Sequence, residues 1–226
     1  MLTLSVKARA VGSRLAWLGL YAVAMGLLEA ICVIYLRRLL PIETGAEASP
    51  LERLRIELIR EAATLVMLGA VAWLAADNFR LRVGCFFYAF GFWDIFYYAG
   101  LWWLAGWPES LLTWDCLFLI PVPWYGPVLA PVLISVYFIV GCGWLHAREV
   151  QGVPLRSSLR LVSTQLLAFV IWYGSFVKDS SHIRTHGYDG VNYSWLLLGL
   201  GALVGLTGFF MASRPAPVGG AECARV

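Results

Sequence analysis

Apolar runs of about twenty residues recur along this chain, parted by short polar segments. At 1.5 Å of helix rise per residue, a run of that length crosses the roughly 30 Å hydrocarbon core of a bilayer. The pattern is that of a membrane protein. Composition agrees: 60% of the 226 residues are hydrophobic and 14% are charged, more apolar surface than a soluble domain of this size can cover. The expected fold class is an all-α integral membrane protein, a single polytopic domain over residues 1–226, with the lipid bilayer as its first partner.

Six spans fit, at about residues 15–36, 57–76, 83–105, 124–145, 161–177 and 195–212. Lys7, Arg9 and Arg14 precede the first run, which is too long for a signal-peptide core and contains Glu29. The second helix begins near Pro50, where Ser49-Pro50-Leu51-Glu52 forms a capping box with proline at the first helical position. Its uncharged part, residues 62–76, spans only about 22 Å, so Glu57, Arg60 and Glu61 lie at or just inside one membrane boundary. Residues 110–120 are apolar but too short to cross, and Pro108, Pro121 and Pro123 bracket them. The segment 108–121 therefore reads as an interfacial or re-entrant helix between the third and fourth spans, with Asp115 in its middle. Pro127 and Pro131 fall inside the expected fourth span, where they should kink it. No internal repeat is evident.

Loop charges set the orientation. With the N-terminus inside, ten Lys and Arg residues fall on inner segments and seven on outer ones. Both termini are expected in the cytoplasm, and the Ala-, Leu-, Arg- and Gly-rich composition suits a bacterial cytoplasmic (inner) membrane. The net charge of +3 is scattered and offers nothing to nucleic acid.

Glu29 and Asp94 lie within the apolar runs themselves. An acid at the bilayer centre costs about 3 kcal/mol on insertion scales, so such residues face a protein interior and do work there. Glu29 falls about 10 Å below the outer boundary, Glu61 about a turn below it, and Asp94 near the midplane. Packing of the first three helices would line one outward-opening polar track with these acids, joined by Asp115 from the short segment. Arg37 and Arg60 are candidate counter-charges at its mouth. A structural role is also open: Tyr97 and Tyr98 stand three and four residues after Asp94 and can satisfy it on its own helical face.

The third run, CFFYAFGFWDIFYYAGLWWLAGW, is the most aromatic part of a chain with eleven Trp, ten Tyr and twelve Phe. Flat side chains around Asp94 suit a small apolar or ring-bearing ligand, such as a ring-bearing lipid, a quinone, a carotenoid or a tetrapyrrole, but such stripes more often serve helix packing and interface anchoring. His182 and His186 are four apart, flanked by Asp179 and Asp189, a spacing that places two imidazoles on one helical face for a metal; Gly187 and Gly190 favour a solvated loop instead. His146 follows Cys142 by four residues near the inner end of its span, the end at which Cys85 begins the third. The five cysteines show no paired spacing of a disulfide framework. Gly201, Gly205, Gly208 and Ala212 form a small-residue stripe for close helix approach, expected within the fold.

Phosphate-binding glycine loops, nucleophile elbows and dinucleotide fingerprints are absent from the sequence. The leading expectation is a carboxylate-lined, aromatic-rich site in the outer half of the membrane that binds or passes a small molecule, proton or lipid-like ligand. An enzyme acting on a lipid-soluble substrate and a non-catalytic subunit of a larger membrane complex are the rivals. Neither a cofactor nor an oligomeric state is specified by these residues. The orientation is testable by labelling with a membrane-impermeant maleimide from outside. Ser181→Cys should react, while Ser13→Cys and Gly152→Cys should not; the reverse pattern moves the acidic cluster to the cytoplasmic side.

Overall fold

A computed structural model describes residues 2–39, 50–152 and 158–213. In chain order it contains α1 (Leu2–Leu39), α2 (Pro50–Ala75), α3 (Phe79–Ala105), β1 (Trp114–Phe118), β2 (Trp124–Pro127), α4 (Leu129–Val150), α5 (Ser158–Val177), α6 (Ser180–His186) and α7 (Trp195–Ser213). Among the described residues, five helical stretches are long and apolar enough to cross a membrane, in α1, α2, α4, α5 with its α6 extension, and α7. The chain is a helical membrane protein. The proline at the start of the second helix stands where the sequence places it, while Ser49 lies outside the described residues.

The aromatic helix α3 is the hub, packed against α1, α2 and α4. Asn78 caps its start by accepting from the Leu81 N–H at 2.9 Å, and Gly106, at φ 68°, ends it in the left-handed conformation that glycine adopts without strain. Its bulk is absorbed by glycines on the facing seams. A side chain at Gly26 of α1 would meet the Trp93 carbonyl at 2.5 Å, and one at Gly91 of α3 would meet the Ser135 carbonyl of α4 at 2.6 Å. Among the aromatics, Trp93 and Tyr98 are buried, while Trp102 and Trp103 near the helix end are exposed, as interface anchors are.

The second unit is α5 against α7. Gly201, Gly205 and Gly208 of the small-residue stripe meet Trp172, Tyr137 and Thr164, so its role is intramolecular, as expected. The Trp172 indole N–H donates to the Leu198 carbonyl at 2.9 Å and adds a polar tie.

The segment 108–121 departs from expectation. It is not a helix: a turn leads into β1, which pairs antiparallel with β2 from Trp114 opposite Pro127 to Phe118 opposite Trp124. A helix of so few residues leaves most of its terminal backbone groups unpaired. A hairpin pairs them across the strands, and aromatic residues suit that surface. The Val128 and Leu129 amides donate to the Thr113 and Leu111 carbonyls at 3.0 and 2.7 Å and close the base of the hairpin. The fourth helix consequently starts at Leu129 rather than Trp124. Pro127 ends β2, and Pro131 sits in the first turn of α4, where no backbone donor is needed, so neither interrupts that helix as expected.

The helix ends sort into two sets. At one, the hydroxyl of Ser180, the first residue of α6, donates to the Pro123 carbonyl of the hairpin at 2.7 Å, and Arg37 near the end of α1 approaches Asp115. At the other, Arg14 pairs with Asp77 at 3.0 Å, and Arg148 reaches the Ser213 carbonyl at 3.4 Å.

The α1–α3 seam predicts a steric contrast. Gly26→Ala pushes a methyl into the α3 backbone and should lower stability by about 1–3 kcal/mol, the usual range for overpacking. Gly69→Ala, which meets nothing within 4 Å, should leave the thermal midpoint of detergent-solubilised protein unchanged.

Candidate functional site: a buried acidic layer under the hairpin

All four acids singled out in the sequence are buried: Glu29, Glu61, Asp94 and Asp115 are 6–8% exposed. They come from α1, α2, α3 and β1, and each has a defined partner. Glu29 forms an ion pair with Arg60, which also reaches Glu57 at 2.7 Å, and accepts from the Thr64 hydroxyl at 3.2 Å. Glu61 receives the Leu119 backbone N–H on both oxygens, at 3.1 and 3.0 Å. Asp94 accepts from the Ser135 hydroxyl of α4 at 2.9 Å. Asp115 accepts from the Tyr98 hydroxyl at 3.1 Å and faces the half-exposed Arg37 guanidinium at 3.9 Å.

The local pairing of Asp94 with its neighbouring tyrosines does not occur. Tyr98 reaches out to Asp115, and Ser135 takes its place at Asp94. Tyr97 stands among the charges, with Asp115, Arg37, Arg60 and Glu57 all within electrostatic reach. The two arginines expected at the mouth of the track are thus the cations of the layer, Arg60 held inside it and Arg37 at its edge, where the guanidinium stacks over Trp107 at 4.8 Å.

Three partners escaped the sequence reading: Thr64, Ser135 and the Leu119 amide. Thr64 and Ser135 carry a faint signal as lone hydroxyls in apolar runs. Leu119 carries none, since its role comes from its backbone.

Burial pushes the Asp115 carboxyl above the ordinary carboxylate value, against the opposing pull of Arg37, the Tyr98 hydroxyl and the Cys116 amide. The adjacent Cys116 thiol is pushed up to about 12 by burial and by the charges of Asp115 and Glu61.

The remaining candidates lie apart. His182 and His186 stack in α6 with ring centroids 4.8 Å apart, so the segment is helical rather than a loop. Asp179 is paired with Lys178, the His186 Nδ1 contacts the Thr185 hydroxyl at 2.7 Å, and Asp189 is exposed. Among the described residues, no group of three or more His, Cys, Asp or Glu side chains is placed to hold a metal ion. A cavity of about 930 Å³ lies towards the other end of the bundle, between α3, α4, α5 and α7, and none of the four acids lines it. No family model, curated protein or solved structure matches this chain.

The Glu61–Leu119 contact predicts a measurable release of the hairpin. A hydrogen bond to a charged group contributes about 1.5–3 kcal/mol, so Glu61→Leu should raise the maleimide labelling rate of Cys116 by about tenfold or more. Glu61→Gln keeps an acceptor and should change the rate far less.

Proposed function

We propose that this is a six-span protein of a bacterial cytoplasmic membrane, with both termini inside and α3 counted among the spans, whose outer acidic layer takes up and passes protons. The observation that carries the reading is a line of buried polar groups. It runs from the half-exposed Arg37 to Asp115, through the Tyr98 hydroxyl, to the face of α3 that carries Asp94 one helical turn away. Asp94 and Asp115 are close enough to influence each other electrostatically. Buried acids in excess of their cations exchange protons rather than remain permanently charged. The Tyr98 phenol donates to Asp115 and has lone pairs free to accept in turn, which a relay needs.

Reconstitution into liposomes loaded with a pH-sensitive dye tests this. Wild-type protein should carry a proton flux above that of empty liposomes under an imposed pH gradient. Asp94→Asn, Asp115→Asn and Tyr98→Phe should each lower it at least tenfold with thermal midpoints near that of wild type, because these changes keep shape while removing an ionisable or donating group. Full flux in Asp94→Asn, or none in wild type, overturns the reading.

The raised Asp115 value also has a signature in stability. Between the ordinary carboxylate value of 3.8 and its own higher one, the folded chain holds a proton at Asp115 that the unfolded chain has lost. Stability therefore falls as pH rises through that window. Thermal midpoints measured across it should decline for wild type and flatten in Asp115→Asn.

A further inference from the structure

The inner end of the bundle holds a second cluster that the acidic layer does not use. Cys85 of α3 and Cys142 and His146 of α4 converge there, and all three are buried. The Cys85 Sγ lies 3.5 Å from His146 Nε2 and the Cys142 Sγ lies 3.3 Å from Nδ1, so one imidazole joins the two thiols. The tautomer follows from one contact: Nδ1 lies 3.0 Å from the Cys142 carbonyl oxygen, which only accepts, so Nδ1 carries the proton. Nε2 is then the acceptor, and the Cys85 thiol donates to it. One thiol thus has a base in place, and the other is held on the same imidazole, a pair placed to close a disulfide.

Cys142 also forms part of the wall of the 930 Å³ cavity. The rest of that wall is largely apolar and ring-rich, with Phe87, Phe138, Trp172 and Phe209. The exposed side chains of Leu166 and Phe169 border it, so it opens sideways from the bundle. Along α4 it extends from Tyr137 to Glu149, about 18 Å of helix, close to the depth of one bilayer leaflet. Its size is that of a small-molecule site. An occupant reaching it from the side must dissolve in hydrocarbon, and flat aromatic walls select a flat ring.

We propose that Cys85 and Cys142 are a redox-active dithiol that reduces a membrane quinone lodged in this cavity. Both S–H bonds break and one S–S bond forms, so the cysteines lose two electrons and two protons. The quinone gains both, one proton on each ring oxygen, and leaves as the quinol. His146 Nε2 takes the Cys85 proton as the sulfur becomes nucleophilic, and the imidazole passes it on.

The test uses reduced, desalted full-length protein in detergent without oxygen, to which decylubiquinone is added. Its fully substituted ring disfavours arylation of a thiol, so thiol loss reports oxidation. Two of the five cysteines should become unreactive to maleimide under denaturing conditions, with an equal amount of quinol formed. Peptide mapping should place the disulfide between Cys85 and Cys142. Cys32→Ala with Cys223→Ala should behave as wild type, while Cys85→Ser and Cys142→Ser should form no quinol. His146→Gln should slow the reaction about a hundredfold, the scale of a lost general base, and flatten its pH profile while reaching the same end point. An unchanged thiol count in wild type, or a disulfide mapped to other cysteines, overturns the proposal, and the mapping needs no variant to fold.

Discussion

A polypeptide that leaves the helix within a membrane protein must find partners for its backbone, because hydrocarbon supplies none. The chain between α3 and α4 does this, and much of the surrounding architecture answers that demand. Trp114–Phe118 and Trp124–Pro127 pair with each other across the hairpin, and the Thr113 and Leu111 carbonyls take the next two donors. The Leu119 N–H is met by a side chain brought in from α2, the carboxylate of Glu61. That acid sits beside the Glu29–Arg60 pair, which joins α2 to α1. Satisfying one backbone donor thus ties the hairpin to α2 beside the charged pair.

The same layer explains why α3 is so aromatic. A helix surrounded on three sides needs bulk that fills space without adding charge. Phe and Trp provide it, while Gly26, Gly91 and Gly100 let the neighbouring backbones come close. Where the packing ends, between the α3–α4 pair and the α5–α7 pair, the cavity begins. Polar order at one end and open space at the other are two results of one asymmetry: the hairpin and α6 tie the units together on the side where they lie.

The helical class, the bounds of α5 and α7 to within a few residues and the burial of Glu29, Glu61, Asp94 and Asp115 were legible from apolar run length and the cost of charge in hydrocarbon, whereas α1 begins at Leu2, well before the run at residue 15, and α4 is shifted by five residues. Arg37 and Arg60 were legible as cations for the same reason. The hairpin was not. Residues 110–120 are apolar enough for either form, and a short apolar run does not distinguish strand from helix by its periodicity. Only the later residues Trp124–Pro127, which pair with it, decide the matter. The partner of Asp94 was misread for a related reason: Tyr97 and Tyr98 are near in sequence, while Ser135 becomes near only when α4 docks across Gly91. The cavity was illegible because empty space between two helix pairs has no residue of its own.

The glycine seam between α5 and α7 joins segments close in the chain. As the polypeptide leaves the ribosome, α1–α4 with the hairpin are complete before that seam exists, and they already contain every partner of the four buried acids. The last two long helices are synthesised after them and pack on each other and, through Gly205 and Tyr137, on α4. The order of synthesis thus follows the order of packing: the acidic layer and its partners come first, and the α5–α7 unit is added to them.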